Sequence, residues 1–253
     1  MIFTIAHLLV AYTILVMPWI GRYKYRKLQR NLAAGHIDAR ARFYRLTVVQ
    51  QWSLVLLIVL FARAASLPWR ALGLVAPVSW PVTRDLLIMF TIAIMTSVIL
   101  FRLTGDRFLR RLLKMAGALI PENAVERFWF AAVSLGAGVT EELLFRGFLF
   151  WYLGFFFPQL SLVQLIVVSS LLFGFCHVYQ GWVGIIGTGV LGAILMWMYL
   201  STESLLLPMT VHALIDLRIL AIFTPGRMRS LQCASAQAPE QGIEKADPSL
   251  RSG

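Results

Sequence analysis

Six ionisable residues interrupt long apolar stretches of this sequence. They are Glu141, Glu142, Arg146, His177, His212 and Asp216. Ionisable groups at membrane depth are costly, and they usually face a polar interior that serves a function. Carboxylates and imidazoles together can activate water, either as a base with polarising partners or as ligands of a metal ion. The pattern therefore predicts hydrolytic chemistry inside an apolar protein.

Helical spacing separates the roles of these residues. Glu142 and Arg146 are four residues apart, so they share a helix face and can pair. Glu141 lies 100° round the helix from Glu142 and has no ionisable residue four positions later, which leaves it available for chemistry. His212 and Asp216 also share a face. A plain ion pair would explain Glu142 and Arg146 equally well, but it does not explain the whole set.

The composition shows which elements must position these groups. Of the 253 residues, 59% are hydrophobic and 14% are charged, whereas about a quarter of the residues in a soluble domain are charged. Residues 147–202 contain no Asp, Glu, Lys or Arg. A membrane-spanning helix needs roughly 20 mostly apolar residues. We therefore predict an all-α, polytopic membrane helix bundle.

Seven transmembrane helices are predicted. They lie at about 2–20, 46–68, 85–103, 128–150, 160–178, 182–201 and 204–224. The spans form one integral-membrane domain over residues 1–225, and residues 226–253 are predicted to be a disordered cytoplasmic tail because they are rich in polar and charged residues. Residues 106–120 are basic and amphipathic, which fits an interfacial helix or a plain loop. The run GIIGTGVLGA in the sixth span predicts close helix packing.

The basic residues are distributed unevenly along the chain. Residues 21–46 hold eight Lys or Arg, residues 102–127 hold six and the tail from Arg227 holds four, but residues 69–84 hold only two. Cytoplasmic loops carry such an excess. We therefore predict an integral protein of the plasma (inner) membrane with its N-terminus outside and its C-terminus cytoplasmic. The net charge of +11 is assigned to orientation and to contact with anionic membrane lipid, and no nucleic-acid partner is expected.

Three short motifs follow one another on the apolar helices. EELLFR fits E-E-x-x-x-R, FGFCH fits F-x-x-x-H, and HALID fits H-x-x-x-N/D. Each motif alone is weak, but three in this order are specific. The sequence between about 125 and 224 resembles the type II CAAX prenyl endopeptidase and bacteriocin-processing family, also called the CPBP or Abi proteins.

The resemblance implies intramembrane proteolysis and a role for each matching residue. Glu141 would be the general base that activates water, with Glu142 and Arg146 as supporting groups. His177 would bind or orient the water. His212 and Asp216 would stabilise the oxyanion. The cofactor is undecided between none and a divalent metal such as Zn²⁺, for which the candidate ligands are Glu141, His177, His212 and Asp216.

Asp216 departs from the prenyl endopeptidases, which carry asparagine at this place. An asparagine amide can donate a hydrogen bond to an oxyanion, whereas an ionised aspartate cannot. Asp216 would therefore be held protonated by burial, would orient His212, or would bind a metal. The difference weakens the prenyl-specific assignment but leaves the wider family resemblance intact.

The predicted activity is endopeptidase cleavage of a membrane-associated protein or peptide, and a prenylated CAAX substrate is one option. A proton-coupled transporter would also carry Glu, His and Asp in its spans, but it would show broken helices in corresponding halves, and the sequence has no such duplication. A relative that has lost activity and acts as a scaffold or immunity protein is the other alternative. Intact Glu141, His177 and His212 argue against it.

Overall fold

The computed structural model describes residues 2–104, 117–228 and 230. Within these ranges the chain is an all-α membrane helix bundle with no strand, which confirms the predicted fold class. Most of the amphipathic segment at 106–120 and most of the tail at 226–253 lie outside the described residues. The predictions for those two segments therefore stay predictions.

Seven long helices make up the described part of the chain. Helix α1 is a continuous run in which Ile2–Ala11 and Met17–Ala33 flank a π-helical segment, Tyr12–Val16. Helices α2 (Ala39–Ala64) and α3 (Trp80–Leu103) follow. Helix α4 joins Ala124–Glu142, a π-helical segment Leu143–Leu149 and Phe150–Phe156. The last three are α5 (Leu162–Cys176), α6 (Gly181–Thr202) and α7 (Leu206–Ile222).

Each predicted span overlaps one of these helices. Five helical segments are long and apolar enough to cross a membrane, and they correspond to α1, α2, α3, α4 and α6. Helix α5 has 15 residues and α7 has 17, so both are shorter than the length that defines a candidate span. The structure therefore supports the helix order that the sequence predicted, with five helices that meet the spanning criterion among the described residues.

The first two helices do not begin and end where the predicted spans do. Helix α1 continues through the first basic cluster to Ala33, and α2 begins at Ala39, so only a short turn around Gly35 separates them. Lys and Arg are good helix formers, and their long side chains reach the membrane interface from a helix. A helix therefore need not end where charged residues begin. Gly35 has φ of 78°, a backbone conformation that favours glycine.

The basic segments meet at one end of the bundle. Arg40 of α2 donates to the Ala118 carbonyl and pairs with Glu122 at 2.8 Å. Arg127 of α4 donates to the Leu220 carbonyl in the last turn of α7 and to the carbonyl of Phe223, the residue that follows the helix. We call this end the basic end. Cations are favourable at a helix C-terminus, so Arg127 also fixes the end of the helix that carries His212 and Asp216.

Connections between helices also meet at the opposite end. The Leu205 amide donates to the Gly73 carbonyl, and the Val78 amide donates to the Thr202 carbonyl. The start of α1 lies at this end as well, because the ring of Phe3 stacks on that of Phe155 at 5.5 Å. The N-terminus and the α2–α3 connection therefore share one end, as the charge distribution predicted.

Helix α4 is the centre of the bundle and packs against α2 and α7. The approach to α7 is close because Gly138 has no side chain: an added Cβ would lie 2.6 Å from the Met209 carbonyl oxygen and 2.9 Å from the Ala213 Cβ. Helices α5 and α6 pack tightly at Gly174, where a Cβ would lie 2.5 Å from the Ile185 carbonyl oxygen. Small residues allow such approaches in membranes, and here they bring the motif-bearing helices together.

Candidate active site

A buried ion pair anchors the site in α4. Arg146 Nη1 donates to Glu142 Oε1 at 2.9 Å, and the side chains are 1% and 0% exposed. The pairing that their spacing predicted is thus present. Arg146 lies within the π-helical segment Leu143–Leu149, which follows the two glutamates directly. Such π-helical turns occur frequently at functional sites.

Arg146 is held from two further sides by helices that lie far along the chain. Its Nη2 donates to the Gly192 carbonyl of α6 at 2.9 Å. Its guanidinium carbon lies 4.4 Å from the centroid of the Phe173 ring in α5, within the range of a cation–π interaction. Arg146 therefore ties α4 to both α5 and α6 while it neutralises Glu142.

Glu142 also fixes the orientation of His212. The His212 Nδ1 and Glu142 Oε1 atoms lie 2.7 Å apart, and both side chains are buried. An ionised carboxylate only accepts hydrogen bonds, so Nδ1 carries the donated proton. The other ring nitrogen, Nε2, then points away from Glu142 toward the remaining site residues. The sequence did not predict this contact between residues 70 positions apart.

Glu141 lies between the two histidines. Its Oε2 is 3.8 Å from His177 Nε2 and 4.0 Å from His212 Nε2. This oxygen is buried and has no hydrogen-bond partner among the described residues, although the side chain as a whole is 22% exposed. Asp216 Oδ2 lies 3.9 Å from the same His212 Nε2, and its side chain is 37% exposed. Each of these two carboxylates and two ring nitrogens therefore lies within about 4 Å of another of them, at a place that is partly open.

His177 is oriented by its own helix end. It caps the C-terminus of α5, and its Nδ1 lies 2.8 Å from the Phe173 carbonyl oxygen. A carbonyl accepts and cannot donate, so Nδ1–H is the donor and Nε2 is turned toward Glu141. The Tyr179 ring lies 5.9 Å from the His177 ring. Both histidines therefore turn Nε2 toward Glu141. His212 is held in this orientation by Glu142, and His177 is held by the Phe173 carbonyl.

The donor types suit a metal ion, but the side chains do not converge on a common point. Imidazole and carboxylate groups are the usual ligands of Zn²⁺, at about 2.0–2.2 Å. Within residues 2–104, 117–228 and 230, no group of three or more His, Cys, Asp or Glu side chains is arranged to hold a metal ion.

The structure brings all six predicted residues into one cluster formed by α4, α5 and α7. Three features of the cluster were not predicted from the sequence: the Glu142–His212 contact, the Gly192 carbonyl on Arg146 and the position of Tyr179 beside His177. No sequence signal marks a backbone carbonyl. For Tyr179, its place two residues after the motif histidine was a signal that could have been used.

The fold and the cluster define a class: a polytopic helical membrane protein with a carboxylate–imidazole site among its helices. Within that class, residues 123–218 match the family model described as "Type II CAAX prenyl endopeptidase Rce1-like". The match covers less than half of the chain and contains all six site residues. It confirms the resemblance that the three motifs indicated. No curated protein and no solved structure matches the chain.

Proposed function

We propose that the protein is an intramembrane endopeptidase in which Glu141 activates a water molecule. The observation that carries the proposal is the position of Glu141 Oε2, 3.8 Å and 4.0 Å from the two Nε2 atoms of His177 and His212. These separations are too long for direct hydrogen bonds, and polar groups at such distances are often bridged by water. The family match over residues 123–218 supports peptide-bond hydrolysis as the reaction.

Glu141 is the better candidate for the base because Glu142 is already engaged. Glu142 Oε1 accepts from both Arg146 and His212, and these two cationic or donor partners favour the ionised carboxylate and make Glu142 a weaker base. Oε2 of each glutamate has no hydrogen-bond partner among the described residues, but the Glu141 side chain is 22% exposed whereas that of Glu142 is 0% exposed. A general base must lie within reach of the proton that it takes, and Glu141 is the glutamate at the open part of the cluster.

The reaction then follows from the geometry. Glu141 removes a proton from water, and the water oxygen bonds to the carbonyl carbon of the scissile peptide while the carbonyl electron pair moves to its oxygen. His212, when protonated on both nitrogens, donates its Nε2–H to that oxyanion while Glu142 holds Nδ1–H. His177 positions the water. Glu141 finally transfers its proton to the leaving nitrogen as the C–N bond breaks, which yields a carboxylic acid and an amine.

The position of Asp216 argues against one of its three predicted roles, the orientation of His212. Glu142 occupies Nδ1 of His212, so the orientation of that ring does not depend on Asp216. Asp216 instead lies on the Nε2 side with Glu141. We assign Asp216 to the oxyanion, as a protonated donor beside His212. The ligand role at a divalent metal is the competing assignment.

Glu141→Gln tests the proposal. The amide has nearly the same size but cannot take the proton, so turnover should fall by about 10²–10⁴-fold while the protein stays folded. The substrate is a quenched fluorescent peptide with a farnesylated CAAX terminus, and precursors that accumulate in the membrane proteome of a deletion strain provide the unbiased second assay. Folding is checked by size-exclusion elution and thermal unfolding.

Glu203→Gln is the matched control. Glu203 is exposed, pairs with Arg70 and lies at the end of the bundle that faces away from the basic end. The substitution should leave turnover unchanged. Full activity of Glu141→Gln would refute the proposed base. If neither assay detects cleavage by the wild-type protein, the endopeptidase assignment itself fails.

We infer that the basic end faces the cytoplasm. Its support is the meeting of the basic segments at one end of the bundle, through Arg40 and Arg127, together with the positive-inside rule. Single cysteines at the exposed positions Ala34 and Ala76 test this orientation in a chain that lacks Cys176 and Cys233. An impermeant thiol reagent should label position 76 on intact cells and position 34 only after lysis. The reverse labelling would invert the assignment.

A further inference from the structure

One side of the second half of α1 is packed against the protein. Leu28 is 2% exposed, an added Cβ at Gly21 would lie 3.6 Å from the Tyr179 ring, and the Tyr25 ring lies 5.7 Å from that of Tyr179. At 3.6 residues per turn these three positions share one face of the helix. Helix α1 therefore borders the site through Tyr179 and turns its remaining side chains outward.

The opposite side of the same helix segment is strongly basic. We call it the α1 basic face; it consists of Trp19, Arg22, Tyr23, Arg26, Lys27 and Arg30. Trp19 and Tyr23 are 54% and 64% exposed, respectively. No Asp or Glu occurs anywhere between residues 2 and 33. Among the described residues, no carboxylate pairs with any of these four cations.

The α1 basic face borders an open space on the surface of the protein. Its side chains, with Asn31, line a surface depression of about 740 Å³. The depression is separate from the Glu141 cluster. Trp and Tyr side chains are enriched at the level of lipid headgroups, a level that would bring the neighbouring arginines close to lipid phosphates.

We propose that the α1 basic face binds the phosphate groups of anionic phospholipids. Arginine forks match phosphate oxygens in a bidentate manner, and clusters of Lys and Arg next to a membrane-spanning helix bind anionic headgroups. The four cations, which pair with no carboxylate of the described residues, contact the phosphate, and the aromatic side chains of Trp19 and Tyr23 occupy the headgroup level. Because the other side of α1 contacts Tyr179, lipid bound here would also stabilise the wall of the active-site cluster.

The test compares two variants that remove the same charge. Arg26→Gln with Arg30→Gln alters the α1 basic face, and Arg42→Gln with Arg45→Gln removes two exposed arginines from α2 near the same end. The full-length protein is placed in nanodiscs of mixed phosphatidylglycerol and phosphatidylcholine. Native mass spectrometry measures the ratio of the two lipids that stay bound, and thermal unfolding is recorded in parallel.

The wild type should retain phosphatidylglycerol preferentially and unfold at a higher temperature when it is present. The α1 variant should lose roughly 25-fold of this preference, since each basic side chain that holds a bound headgroup contributes about a fivefold factor. The α2 control should keep most of it. About 1 M salt should weaken the preference, because the Debye length falls to roughly 3 Å.

Several results would overturn the proposal. An equal loss in both variants would show that overall charge, and not the α1 basic face, selects the lipid. The same thermal shift from inorganic phosphate in phosphatidylcholine alone would identify free phosphate as the ligand. If the α1 variant fails to fold, the single substitution Arg30→Gln replaces it; this variant should lose about a fivefold factor of the preference, and an unchanged preference would overturn the proposal.

Discussion

Helices α3 and α4 are both membrane-type helices, but they differ in what surrounds them. Half of the most apolar window of the α4 run is buried within the protein, against 11% of the corresponding window of α3. Nevertheless α3 is the more apolar of the two. Ile92 of α3 is 61% exposed, whereas Phe145 of α4 is 0% exposed.

The more apolar helix is the less buried one because lipid is as apolar as leucine. Hydrophobicity alone therefore does not draw a helix into the centre of a membrane protein. Helix α4 is central because it carries polar groups that lipid cannot hydrogen-bond and a small residue that allows close packing. Gly138 permits close approach to α7, and the ionised pair Glu142–Arg146 finds its partners on other helices. A less apolar membrane helix is therefore the better candidate for the core and for the site.

The largest effect on stability is expected from Glu142→Gln in α4. The change leaves Arg146 as a buried charge without its partner, which costs about 3–5 kcal/mol in comparable cases, and it also weakens the hold on His212. Thermal unfolding and expression level measure the loss. Asp85→Asn is the matched control in α3, because its pair with Arg84 is exposed and should contribute at most about 1 kcal/mol.

A double substitution sharpens this comparison. Glu142→Gln with Arg146→Met leaves no unpaired buried charge, so it should be less destabilising than Glu142→Gln alone. Wild-type stability of the single variant would contradict the view that the ion pair holds the centre of the bundle. If Glu142→Gln instead abolishes cleavage in a fully stable protein while Glu141→Gln does not, the two glutamates have exchanged roles.

A smaller loss is expected from Gly138→Ala. The added methyl group would lie 2.6 Å from the Met209 carbonyl oxygen, so α4 and α7 must separate, at a cost of about 1–3 kcal/mol. Turnover should fall as well, because Glu142 and His212 belong to these two helices. The control is Gly187→Ala in α6, where no atom lies within 4 Å of the added group. Equal effects of the two substitutions would show that the close approach is not needed.

The smallest effect is expected from Asp216→Asn. Asparagine keeps the size and can donate to an oxyanion, so turnover should stay within about tenfold of wild type, or about 1.4 kcal/mol. Asn is a poorer ligand than a carboxylate for a divalent ion. A sharp fall in activity, inhibition by chelators, restoration by added Zn²⁺ and loss of stoichiometric metal from the purified variant would together establish the metal-dependent version.

The sequence by itself determined the features that depend on local geometry. The apolar runs located all seven helices, and the spacing of Glu142 and Arg146 predicted their pair, because both follow from the rise and turn of one helix. The motifs indicated a resemblance to the family whose model matches residues 123–218. The helix ends in the basic segments could not be placed in this way, since a charged run is compatible with both a loop and a continuing helix.

Only the tertiary structure decided which helices meet. The contact of Glu142 with His212, the Gly192 carbonyl on Arg146 and the two ring nitrogens that face Glu141 join residues on four different helices. Hydropathy does not choose between lipid and protein as a neighbour. The choice depends on small residues such as Gly138 and on buried polar groups that must find partners, and these conditions are met only when the helices are packed together.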